Sequence, residues 1–203
     1  MQLSVSGWRY ALLGCWLLGI AAGPVAAQDL ARVELSGGYA LSNDGDFNGL
    51  WPVGWFVGAA WPATGSLAVA GELTNNRRHE TLPRARADAS AWNALFGVRA
   101  SRRLSPSLTA FVRGAAGVAY VTNHVYDTSP PLGLPFAFDV TVAITAPAGQ
   151  VGGGADVDLG TRVSLRTLVE YKRIFDRRLQ TLRLPAQDCL EVRTGLAIRL
   201  GSR

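Results

Sequence analysis

His79 and His124 are the only histidines in this 203-residue sequence. Imidazole is the side chain best suited to proton transfer near neutral pH. A nucleophilic relay needs a serine, a histidine and an acid held together. Ser90, His79 and Asp88 could meet near one rim, but both histidines fall in stretches that read as long loops, where a solvated imidazole is the ordinary outcome. No catalytic residue is assigned, and the chain is expected to be non-enzymatic. The two cysteines, Cys15 and Cys189, stand far from each other and from the histidines, so there is no metal-ligand spacing and no cofactor is expected. Gly152, Gly153 and Gly154 are not a phosphate loop, because no lysine and no helix follow them. In mid-strand such glycines read as close packing or a bend.

Charge at alternating positions is the stronger signal. Glu34, Glu72, Asp156, Glu170 and Glu191 each lie on the side of an extended segment opposite its greasy residues. Arg32, Arg99, Arg113, Arg166, Lys172 and Arg193 do the same, with Ala115, Gly117, Gly152 and Gly154 between them. If that side faces a closed interior, acids and bases must pair there, since a lone buried charge is costly. The expected network is Glu34, Glu72, Arg113, Arg166, Glu170, Lys172, Glu191 and Arg193.

The elements that carry these residues have a period of two. In "LEVRTGLAIRL" (190–200), Leu190, Val192, Thr194, Leu196, Ile198 and Leu200 share one face, and Glu191, Arg193 and Arg199 share the other. Eight such segments are read, at 30–41, 51–61, 66–75, 90–101, 107–123, 148–159, 162–175 and 188–200. The sixth is ambiguous, because "FAFDVTVAIT" (136–145) alternates as well. Connections alternate in length. The stretches 42–50, 76–89, 124–147 and 176–187 are long, whereas 62–65, 102–106 and 160–161 are short. With antiparallel neighbours, every short turn falls at one end and every long loop at the other. That is the layout of an all-β, eight-stranded, antiparallel up-and-down transmembrane barrel. It must close, with the last strand pairing the first, because an open edge would leave backbone groups unpaired in lipid. Trp51, Val53, Trp55, Val57, Ala59 and Trp61 are expected on one face. Their span of about 33 Å, reduced to roughly 25 Å by strand tilt, matches the apolar band between aromatic girdles. Trp51, Trp55 and Trp61 are assigned to that girdle.

The N-terminus reads as a cleaved signal peptide over 1–27. Arg9 precedes the apolar run "YALLGCWLLGIAAG", and Val25 and Ala27 stand at the small-residue positions before a cut. The barrel domain then spans 28–203. The net charge is +5; export argues against nucleic acid as the partner of a basic chain. Arg77, Arg78, Arg84, Arg86, Arg177 and Arg178 form a basic cluster in the long loops.

"VELSGGYAL", "TAFVRGAAGVAYV", "QVGGGADVDLGTRVSLRTLVEYKRIF" and "EVRTGLAIRLG" together resemble the outer-membrane β-barrel domain family. That family is similar to the transmembrane domain of outer-membrane protein A and to the opacity and adhesin-like barrels. The resemblance implies a monomeric integral protein of a Gram-negative outer membrane, placed there by the barrel-assembly machinery, with an envelope or surface-interaction role. If the long loops face outward, their arginines would meet the phosphates of lipopolysaccharide, so outer-membrane lipid and lipopolysaccharide are the expected partners. A narrow pore, a lipid A-modifying enzyme and a soluble periplasmic ligand-binding barrel are the rival readings. The sequence departs from the family at its end, where Leu200 stands in place of the usual terminal aromatic residue.

Overall fold

The computed structural model describes residues 33–44, 49–81, 85–127, 139–175, 177–179, 182–184 and 186–201. The signal-peptide stretch, Arg32 and Arg84 lie outside these residues. The strands are β1 (Val33–Asp44), β2 (Gly49–Trp51), β3 (Val53–Pro62), β4 (Leu67–Thr81), β5 (Ala85–Ser105), β6 (Leu108–Asp127), β7 (Asp139–Asp158), β8 (Val163–Ile174), β9 (Arg177–Leu179), β10 (Leu182–Leu184) and β11 (Gln187–Leu200). Each long strand pairs antiparallel with the next, and β2 and β3 act as one stave broken at Pro52. β11 pairs with β1 from Val33↔Leu200 to Asp44↔Cys189, which closes an eight-staved barrel. β9 and β10 form a separate small hairpin.

The barrel is apolar outside. Leu35, Val57, Phe96, Val98, Val118, Val151, Val169, Val192 and Leu196 are all exposed. An exposed apolar belt of this extent has no place in water. Along β11 it runs from Leu190 to Leu200, about 33 Å of strand and roughly 25 Å of height once tilted.

Trp51 does not belong to that belt. It is buried, with 8% of its surface exposed, whereas Trp55 and Trp61 are exposed. The cause is a bulge. Tyr39 pairs with Trp55 and Ser42 with Trp51, so three steps on β1 face four steps on the other stave. One extra residue at Pro52 reverses which side the chain shows. Proline has no N–H to lose there, and the Tyr39 hydroxyl donates to the Pro52 carbonyl. Strict period two therefore fails at "WPV", and Trp51 turns into the lumen.

The long connections are shorter than the sequence suggests. β4 and β5 continue through most of 76–89, leaving only 82–84 between them, and β7 begins at Asp139 rather than near 148. β3 stops pairing at Val53↔Arg77 and β8 at Ile174↔Ala148. Strands β4 to β7 therefore rise past the rest of the barrel as a four-stranded extension. The alternation changes sign as they leave the belt. On β7, Val151 and Val157 face out below, whereas Val140, Val142 and Ile144 share the inward parity above; Ile144, Ala146 and Ala148 are buried there. Apolar side chains point toward lipid inside the belt and toward protein beyond it.

Gly152 and Gly154 let β7 and β8 approach over the charged interior. A Cβ on Gly152 would lie 2.3 Å from the Val169 carbonyl oxygen and 2.6 Å from Glu170 Cγ. Gly152→Val is expected to destabilise the barrel by about 1–3 kcal/mol through overpacking, read as a lower urea midpoint in lipid vesicles.

Candidate functional site

The inward faces carry two tiers of ion pairs. In the upper tier Arg113 bridges two acids. Its Nη1 and Nη2 donate to Glu72 at 2.6 and 2.9 Å, and its Nη2 and Nε donate to Glu170, the former at 2.8 Å. Arg193 is fully buried. Its Nε donates to Glu191 at 2.6 Å, and its Nη1 lies 3.0 Å from Glu170 and also pairs with Glu72. Lys172 Nζ donates to Glu191 at 2.7 Å. Three carboxylates thus meet three cations. Neighbouring strands supply them because Glu170 and Glu191 are directly opposite across β8 and β11. The lower tier is built on Arg166, which donates from Nε and Nη2 to Asp156 at 2.8 and 2.7 Å and from Nη2 to Glu34 at 2.7 Å. Arg99 Nη1 donates to the same Glu34 oxygen at 2.5 Å. Bidentate guanidinium–carboxylate contacts hold both geometry and charge balance.

Phenylalanines stack within the network. The Arg193 guanidinium lies 5.5 Å from the Phe56 ring centroid, and Arg166 and Arg99 lie 5.0 and 5.6 Å from that of Phe111. Such faces attract cations. Above the upper tier Trp51, Leu95, Ala119, Val121, Ala146 and Ile174 pack together, beside the buried polar side chains of Ser42, Asn76 and Gln187. Cavities lined by residues of the two tiers measure about 20 and 10 Å³, each about the size of one water.

All eight expected network residues stand in the two tiers, Glu34 and Arg166 in the lower and the other six in the upper. Arg99 and Asp156 join them. Sequence reasoning did not assign Gln150, which accepts from Arg193 Nη2 at 3.2 Å, or the buried pair in which Asn93 Nδ2 donates to Thr74 Oγ1 at 3.0 Å. Their inward parity was the available signal.

Trp55 lies on the outer wall, edge-on to Trp92 with centroids 5.4 Å apart, and Trp61 stands toward the short-turn end. The basic cluster disperses. Arg77 and Arg78 lie on β4 and Arg86 on β5, not in a loop. Arg77 Nε donates to Asn75 at 3.0 Å, and Arg78 pairs with Glu80. Arg177 and Arg178 fall on β9; their side chains, like Arg84, lie outside what is described. His79 Nδ1 is 2.7 Å from Asp88 Oδ1, while Ser90 Oγ accepts from Asn75 Nδ2 at 3.1 Å rather than meeting His79. His124 Nε2 is 2.7 Å from Asp139.

A closed eight-stave barrel with apolar walls and a charged interior defines a transmembrane β-barrel fold. Known structures share it. Ail, the attachment invasion locus protein of Yersinia pestis, matches with a TM-score of 0.58 at 15% identity, covering 85% of this chain and 100% of Ail. Neisserial surface protein A matches at 0.54 and 12%, covering 83% and 96%. OprG of Pseudomonas aeruginosa matches at 0.51 and 13%, covering 88% and 100%. The chain has the fold of the eight-stranded outer-membrane β-barrels. No protein-family model matches the sequence, and comparison with curated proteins finds no relative.

Proposed function

We propose that the protein is an integral outer-membrane barrel of a Gram-negative bacterium, non-enzymatic, whose lumen is a rigid ionic core and whose extension serves contacts at the cell surface. The observation that carries this is the inversion of the barrel. Its exposed wall is apolar, while Glu170, Glu191 and Arg193 are buried inside. A soluble ligand-binding barrel has the opposite arrangement. The test is a gel of isolated outer membranes. A folded barrel in that fraction runs differently before and after boiling; recovery from the soluble periplasm with no such shift would overturn the reading.

Contact with lipopolysaccharide is proposed for the outer wall above Trp55 and Trp92. Arg77 and Arg86 stand there on exposed positions of β4 and β5, suited to bidentate phosphate contacts. By analogy, Ail has been crystallised with the heparin analogue sucrose octasulfate, a densely anionic sugar. Arg77→Gln combined with Arg86→Gln is expected to weaken binding to lipopolysaccharide micelles about tenfold at low salt, with little difference at high salt.

A further inference from the structure

The short-turn end holds a feature that the surface role does not use. An open cavity of about 360 Å³ lies there, walled by three arginines, Arg99, Arg103 and Arg199, and three carboxylates, Glu34, Asp156 and Asp158, with Ser101 and Thr109 beside them. Charge balances deeper in, where Arg99 and Arg166 meet Glu34 and Asp156. Among the described residues it does not balance at the rim, where Arg103 and Arg199 share the carboxylate of Asp158. Arg199 holds that carboxylate closely, Nη2 to Oδ1 at 2.6 Å, and also donates to Ser164 at 2.9 Å. Arg103 reaches Asp158 only at 3.4 Å, its side chain is 53% exposed, and its remaining contacts are to the backbone carbonyls of Ser105 and Pro106 in the β5–β6 turn. Among the described residues Arg103 thus stands over the cavity with only a shared carboxylate, beside Ser101 and Thr109.

We propose that this vestibule binds the oxyanion group of a small polar solute, a phosphate or a carboxylate, entering from the short-turn side. Arg103 offers its Nη1, since its Nε and Nη2 already donate to Ser105, Pro106 and Asp158; Arg199 adds a second positive charge and Thr109 a hydroxyl, that of Ser101 being turned to the Ser66 carbonyl. Arg162, in the turn between β7 and β8, stands at the same end and adds to a positive field that gathers anions toward the mouth. The narrow voids above keep the solute at this end, so the site is a blind cup rather than a passage.

The experiment is a titration of the whole detergent-solubilised barrel, with inorganic phosphate in one arm and succinate in the other, followed by calorimetry at low ionic strength. The proposal expects saturable one-to-one binding of at least one of them. Affinity should fall at least tenfold in Arg103→Gln and be unchanged in Arg173→Gln, which alters the opposite end, where Arg173 pairs with Asp188. The two arms tell a phosphate site from a carboxylate site. Gel heat-modifiability of Arg103→Gln confirms that the variant is folded. Absence of saturable binding in both arms, or binding that survives Arg103→Gln in a folded barrel, would overturn the proposal.

Discussion

Arg193→Ala is expected to lower the stability of the barrel by about 3–5 kcal/mol, the cost of breaking a buried ion pair and leaving its partners uncompensated. Arg193 touches three carboxylates, Glu72, Glu170 and Glu191, and stands fully buried among them. Its loss leaves three acids against Arg113 and Lys172. Urea unfolding in lipid vesicles, followed by gel mobility, reads the effect as a lowered midpoint. The double variant Arg193→Met with Glu170→Gln removes one charge of each sign and leaves Glu72 on Arg113 and Glu191 on Lys172. It should recover a large part of the loss, because two acids then face two bases, and the residues are close enough for strong coupling. If both variants fall equally, packing around Phe56 rather than charge sets the cost.

The second large effect is on the other wall. Leu196 is 46% exposed, lies near the middle of the Leu190–Leu200 row, and pairs with Leu165 on β8 and Gly37 on β1. Leu196→Arg is expected to cost about 2–4 kcal/mol, the penalty for arginine facing lipid at mid-depth. An exposed leucine facing water would tolerate the same change within about 0.5 kcal/mol. The same unfolding assay separates the two cases.

The charged lumen was legible because its residues obey period two over strands that lie wholly within the belt. Glu170, Lys172, Glu191 and Arg193 alternate with Val169, Tyr171, Leu190 and Val192, and nothing between them breaks the phase. Three features were not legible, each for a physical reason. At Trp51 the pattern continued on paper, but one extra residue at Pro52 shifted the phase. Only the partner strand fixes a bulge, and a single strand's sequence does not contain it. On β7 the apolar face changes from even to odd positions as the strand enters the belt, so a strand of 20 residues read as one short segment at 148–159 with an ambiguous stretch before it. On β5 the inner face of the extension is Ala87, Ala89 and Ala91, alternating with Arg86, Asp88 and Ser90. Alanine opposite charge has little hydrophobic contrast, so those residues looked like loop, and Arg77, Arg78 and Arg86, assigned to a basic cluster in the long loops, stand on strands instead.

Brominated-lipid quenching of single tryptophans tests the central claim most directly, because it asks which side of the wall touches acyl chains. The barrel holds Trp51, Trp55, Trp61 and Trp92. Variants keeping one tryptophan and carrying phenylalanine elsewhere are reconstituted in vesicles with bromines on the acyl chains. The account predicts strong quenching of Trp61 and Trp55 and protection of Trp51, which lies inside with Leu95 and Ile174. Quenching of Trp51 with Trp61 untouched would contradict it, and would mean that the charged face of the barrel looks outward.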